Sequence, residues 1–148
     1  MKNKTNFLPV IALLVFVSFG VSSLKAQTNP NHIFHVSTSY MMTGMDSSSR
    51  AERDAILQEY HEKVTMKNQY VLHQWTMTHF FTEDSREFVT ISEFAAMSDI
   101  EKSFDRDDEL EKLAWPDAKK RAEFMKKMNG YFTYHKDAIF NGYPKLVK

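Results

Sequence analysis

The sequence predicts an α+β fold, a four-stranded antiparallel sheet with its helices on one face. Three observations predict it. Segments rich in β-branched and aromatic residues recur at 32–41, 71–81, 87–94 and 137–140, the composition of strands. Between the first and second of these, and again between the third and fourth, apolar residues fall three and four apart, the period of a helix face. The chain has 148 residues, which makes one domain the default.

The elements follow in order. Lys2 and Lys4 precede an apolar run from Phe7 to Val21 and then SSLKAQ, the layout of a secretory signal peptide cut after Ala26. Its apolar core has 15 residues, short of the ~20 that a spanning helix needs; an uncleaved anchor is the alternative. The chain has no Cys, so the leader cannot carry a lipid on a cysteine, and the domain must stand on its core without disulfides. Residues 1–26 are read as leader, 27–31 (QTNPN) as a polar start, and 32–148 as a single domain. Removing the leader takes three lysines with it and leaves 16 basic against 19 acidic residues, a net charge of −3. No basic stripe is present, which argues against a nucleic-acid partner. After leader removal nothing predicts a membrane-bound chain.

His32–Met41 reads as the first strand and Thr43-Gly44-Met45-Asp46 ends it. Ser49 and Glu52 have the spacing of a capping box, opening a helix to about Asn68 with Ile56, Leu57, Tyr60 and Val64 on one face. Val71–Phe81 (VLHQWTMTHFF) is the second strand, Glu83–Arg86 a polar turn, and Glu87–Phe94 the third strand. Ser98 and Glu101 suggest a second capping box opening a short helix, and the charge-dense stretch from Asp105 to Glu111 reads as a solvated face or a loop. Trp115-Pro116 restarts the chain, and Ala118, Ala122, Met125 and Met128 keep helical spacing. Asp137–Phe140 is a short last strand. Strand, helix, strand, strand, helix, strand is the split βαβ order of ferredoxin-like domains, whose open sheet face must be covered or polar.

With Asp84-Ser85 at the centre of the hairpin, Phe81 faces Phe88, His79 faces Thr90, Met77 faces Ser92 and Trp75 faces Phe94. This register collects His73, Trp75, Met77, His79, Thr90 and Ser92 on one face, joined by His35, Ser37 and Ser39. Leu72, Thr76, Thr78, Phe80, Val89 and Ile91, joined by Phe34 and Val36, are left for the helices. A turn longer or shorter by one residue exchanges the partners. A face carrying Trp, Met, Phe and His calls for a cover, either a second copy or a ligand.

Metal chemistry finds little support. His73 and His79 lie about 20 Å apart along one strand, whereas two imidazoles on one zinc each bring a nitrogen to about 2.0–2.1 Å. His35 would lie roughly 9–10 Å from the second strand. The acidic run lacks the ligand alternation and central Gly of a calcium loop. No Gly-rich phosphate loop is present, and Trp115 reads as a core anchor.

The strand order, the domain length and the mixed aromatic sheet face resemble the dimeric α+β barrel superfamily, over roughly Ile33 to Leu146. The run AWPDAKKRAEFMKKMNGYFTYHKDAIF resembles uncharacterised secreted bacterial members. The resemblance implies two ferredoxin-like units joined sheet to sheet around a cavity. The superfamily includes cofactor-independent antibiotic-biosynthesis monooxygenases, haem-handling enzymes, chlorite-dismutase-like proteins and stress-responsive barrel proteins. It carries no catalytic signature that maps onto positions of this chain. The expectation is a secreted or periplasmic homodimer holding a small apolar ligand, with His35, His73, Trp75, Met77, His79, Thr90 and Ser92 as pocket residues, no metal and no required cofactor. The alternative is a monooxygenase-like or haem-handling oxidoreductase whose site is lined by His73, Trp75 and His79, a histidine acting as base.

Overall fold

β-branched and aromatic residues build the strands, and aspartates open two of the helices. The computed structural model describes residues 31–143 and Lys145; the expected leader lies outside them. Strand β1 spans Ile33–Met41, helix α1 Ser47–Lys63 with a 3-10 turn at Thr65–Lys67, strand β2 His73–Thr78, strand β3 Glu87–Phe94, helix α2 Ser98–Ala114, helix α3 Ala118–Asn129 and strand β4 Phe132–Asn141. The sheet order is β2-β3-β1-β4, and every neighbouring pair is antiparallel. No helix among the described residues is long and apolar enough to cross a membrane.

Several boundaries differ from the sequence reading, each for a local reason. Asp46, not Ser49, caps α1: its carboxylate accepts the Ser49 N–H at 2.7 Å. The acidic run 105–111, readable from sequence as a solvated face or a loop, is helical. It continues α2 to 17 residues, its charges spread around a helix whose Ile100, Ser103 and Leu110 are buried. Asp117 opens α3 by accepting from the N–H groups of Lys119 and Lys120. Strand β4 is longer than 137–140 because it pairs with almost the whole of β1.

The hairpin register is the main correction. Thr78, not Phe81, lies opposite Phe88, and Trp75 lies opposite Ile91 rather than Phe94. Phe80 and Phe81 do not pair; they sit almost fully exposed in the connection, which closes where the His79 N–H donates to the Glu87 carbonyl at 3.1 Å. The slip is three residues. An odd slip exchanges the faces, so Trp75 and Met77 keep company with Ile91 and Val89, while Thr90 and Ser92 turn the other way beside Thr76 and Gln74. On β1, Val36 aligns with Ile91 and Phe34 with Glu93, whereas Ser37 aligns with Thr90 and His35 with Ser92.

The helices cover the face that carries His35, Ser37, Gln74, Thr76, Thr90 and Ser92. At one end the packing is dry: Ile33 and Phe94 meet Ile100 of α2, with Val71 against them. Trp115 anchors the other helices, its ring stacked on Tyr60 and Phe124 at centroid distances of 6.3 and 4.1 Å. Burying such apolar area stabilises the chain by roughly 25 cal/mol per Å². Between these two anchors the helices stand off the sheet.

Candidate functional site

Alternation along a strand sends successive side chains to opposite faces, so the composition of β2 dictates two different surfaces. His73, Trp75 and Met77 go one way; Gln74, Thr76 and Thr78 go the other. In a half-solvated antiparallel sheet the apolar set ordinarily packs inward and the polar set meets water. Here the polarity is reversed. The hydroxyl and amide set looks at the helices, and the bulky set looks away from them.

Under the helices the polar set floors a cleft of two adjoining chambers. The larger, about 600 Å³, lies between Gln74, Thr76, Phe88 and Thr90 on the sheet and Leu57, Tyr60, His61 and Met128 on the helices. The smaller, about 250 Å³, is bounded by His35, Ser37, Ser92, Phe94, Ser103 and Phe104. Thr65, Gln74, Thr90 and Asp107 border both chambers. The Gln74 amide donates to the Ser92 hydroxyl at 3.0 Å, which fixes part of the floor.

The helix wall is electrostatically tense. The Tyr60 hydroxyl donates to Glu111 at 3.0 Å; burial first, then the charges of Asp107 and Glu111, push its pKa above the usual tyrosine range. Asp107 accepts from the Asn68 amide at 2.7 Å, and the same amide bonds the carbonyl and hydroxyl of Ser103. Burial raises the Asp107 carboxyl above its ordinary value, the Asn68 hydrogen bond opposes the rise, and Glu111 and Asp108 add to it. Like charges and lost hydration act in one direction on this group.

The seven residues singled out from the sequence therefore divide. His35, Thr90 and Ser92 border the cleft. His73, Trp75 and Met77 lie on the open face, where Trp75 is 46% exposed and stacks on His73 at 5.7 Å. His79 sits in the connection after β2, its Nδ1 2.8 Å from the Thr82 hydroxyl. One shared pocket for all seven does not form, because the three-residue slip separates them.

Each sheet face also carries a carboxylate between two histidines. On the open face Glu93 bridges His32 and His73, the His73 Nδ1 lying 2.7 Å from Oε2. Burial alone would raise the Glu93 pKa, yet the hydrogen bonds from His32 and His73 outweigh it, and the carboxyl titrates below its usual value. On the helix face Asp137 lies 3.2 Å from His35 Nε2 and 3.1 Å from His135 Nε2. Among the described residues no group of three or more His, Asp or Glu is arranged to hold a metal ion.

Sequence reasoning missed Gln74, Tyr60, His61 and Asp107 as cleft residues and assigned Thr76 to packing. One signal was available: Gln74, Thr76 and Thr78 alternate with Trp75 and Met77, and a helix-covered face made of such residues has no reason to close up dry.

No protein-family model matches the sequence, and no curated protein matches it. Solved structures do resemble it. A conserved protein from Methanosarcina mazei superposes with a TM-score of 0.50 at 9% identity, covering 76% of this chain and 94% of that one. A protein from Caulobacter crescentus described as a "putative antibiotic biosynthesis monooxygenase" gives 0.50 at 12% identity, over 77% and 92%. A dimeric protein of unknown function and ferredoxin-like fold from Bacteroides fragilis gives 0.47 at 7% identity, over 74% and 95%. At such identities the likeness is one of fold, and it agrees with the strand order and the one-sided helices: this chain has a ferredoxin-like α+β fold.

Proposed function

We propose that this protein is a secreted or periplasmic small-molecule-binding protein that acts as a homodimer, with its ligand held in the cleft between sheet and helices. One observation carries the reading: the sheet face beneath the helices carries Ser37, Gln74, Thr76, Thr90 and Ser92 and floors two adjoining spaces of about 600 and 250 Å³. Pockets of this size that combine apolar walls with a few aimed polar groups suit small organic ligands. Packing alone would favour aliphatic residues at those positions, since a buried hydroxyl without a partner costs about 1–3 kcal/mol.

The open face supports the dimer. Trp75 and Phe140 are 46% and 54% exposed, with Ile91, Val36 and Ala138 in register between β2 and β4. A contiguous apolar surface of this kind marks an interface. The ligand site thereby moves from the sheet-to-sheet cavity expected from sequence to the helix side, and the second copy becomes the cover of the open face.

Oxidation of the bound molecule is the second reading. Tyr60, His61 and Asp107 place groups capable of moving protons around one chamber, and the Caulobacter neighbour is described as a "putative antibiotic biosynthesis monooxygenase".

Native mass spectrometry of the protein isolated from its own host tests the reading. The expected result is a dimer carrying a small organic molecule, with a mature chain that starts at Gln27. A dimer that carries nothing, and whose cleft residues show no shifts on titration with small organic compounds, overturns the binding role. A Soret band in the purified protein would redirect the chemistry toward haem.

A further inference from the structure

Taking the cleft as a binding site, we infer that its ligand is a small organic cation, an amine with an apolar body, and that Asp107 is its counter-ion. The inference rests on what borders the cleft. Among the described residues no Lys or Arg lines either chamber, and Asp107 is the one carboxylate that does. It stands where the chambers join, so a group beside it reaches into both.

Asp107 is also incompletely used. Its Oδ1 accepts from the Asn68 amide at 2.7 Å, and among the described residues the carboxylate has no other hydrogen bond and no ion pair. Asn68 is itself buried and held by Ser103, so the carboxylate is fixed in place rather than free to turn to water. Glu111 and Asp108, on the same helix α2, oppose its ionisation. An incoming ammonium meets the Asp107 carboxylate directly and is favoured by the Glu111 and Asp108 charges as well, which disfavour an anion there. Charge-assisted hydrogen bonds of this kind are about twice as strong as neutral ones. Around the junction, Tyr60, Phe88 and Phe104 present rings to the chambers, a setting that favours an organic cation by contact with its apolar body and by cation–π attraction. The threonine and serine hydroxyls of the floor add acceptors for the remaining ammonium hydrogens.

Three probes with one apolar body separate charge from shape: 2-phenylethylamine, 2-phenylethanol and 3-phenylpropanoate, titrated at neutral pH into the intact mature protein and followed by NMR shifts of the cleft residues. The expected result is binding in the order amine, alcohol, acid, with the amine favoured by about tenfold or more over the alcohol. Asp107→Asn keeps the Asn68 hydrogen bond and the side-chain size; it should bring the amine down to the alcohol while leaving the alcohol unchanged. Glu111→Gln, which removes another charge of α2, should weaken the amine by a few-fold only, and serves if Asp107→Asn fails to fold. Equal affinity for amine and alcohol, or an amine indifferent to both substitutions, overturns the cation assignment and leaves the cleft as a binding site. Absence of cleft shifts with all three probes overturns the binding site and the inference together.

Discussion

The two faces of the sheet use the same device to different ends. Each places a carboxylate between two histidines: Glu93 with His32 and His73 on the open face, Asp137 with His35 and His135 beneath the helices. The Glu93 side chain is 11% exposed and the Asp137 side chain 43%. Around Glu93 the neighbours are Phe34, Trp75 and Ile91; around Asp137 they are Ser37 and the hydroxyl floor of the cleft. The difference teaches that this sheet is turned inside out relative to a sheet with one wet face. Its greasy side is the one proposed to meet a second copy, and its polar side the one proposed to hold a ligand.

The most direct way to break that comparison is Trp75→Glu. It sets a charge in the middle of the apolar face without touching the cleft, which lies on the other side of β2. Burying an unpaired charge is costly, and central aromatic residues dominate interface energies at about 2–4 kcal/mol. The expected outcome is a dimer weakened by about a hundredfold or more in sedimentation equilibrium, with helix and strand content intact by circular dichroism. A variant that dimerises as strongly as the wild type removes the interface from this face.

The two carboxylates give the next contrast. Glu93→Ala removes a largely buried carboxylate and the hydrogen bonds it accepts from His32 and His73, and should lower stability by about 1–3 kcal/mol in urea unfolding. Asp137→Ala, at a more exposed pair, should change it by less than about 1 kcal/mol. The pH dependence follows from the direction of the Glu93 shift. Its folded-state pKa lies below the ordinary 4.5, so its contribution is complete above that value and is lost as pH falls through the folded pKa. The gap between wild type and Glu93→Ala should therefore be widest near neutrality and close in strong acid. Equal losses from both substitutions at neutral pH would mean that burial does not distinguish the clusters.

Periodicity made the fold readable, and local chemistry hid the site. The four strands and the helical segments between them follow from patterns of two and of three-to-four residues, which depend on neighbours along the chain. The pairing of β2 with β3 depends on where the hairpin turns, and Phe80-Phe81 looked like strand because hydrophobicity alone does not report pairing. Three residues of slip were enough to send Thr90 and Ser92 from the company of His79 and Met77 to that of Thr76 and Gln74. Asp107 was hidden for another reason. Within a run of five acidic residues between 105 and 111, nothing in sequence separates the carboxylate that turns inward to Asn68 from those that meet water.

A reciprocal exchange sharpens the contrast between faces. Thr90→Val replaces a cleft hydroxyl by a methyl of nearly equal shape, and should leave stability within about 1 kcal/mol of wild type while weakening ligand uptake in the titrations above. Val36→Thr makes the opposite change in the open face, and should weaken the dimer while leaving uptake alone. If Thr90→Val weakens assembly and Val36→Thr weakens uptake, the assignment of guest and partner to the two faces is reversed.

The smallest effect is also the most diagnostic. Asp107 titrates above its ordinary 3.8 in the folded chain, so the folded protein holds that proton more firmly than the unfolded one. For a carboxyl, that sign means that ionisation works against folding. The penalty is absent at pH below the ordinary value and is complete once pH exceeds the folded-state pKa. Asp107→Asn removes the charge and keeps an acceptor for the Asn68 amide. At pH 7 it should therefore raise stability, by no more than about 1 kcal/mol because the side chain keeps part of its hydration, and the gain should fade as wild-type Asp107 becomes protonated in acid. A carboxylate that served only to hold α2 to the turn at Asn68 would give the opposite result, a variant less stable than wild type at pH 7. A gain confined to neutral pH marks a group held in an unfavourable state by the fold, which is how residues at functional sites stand apart from residues that merely pack.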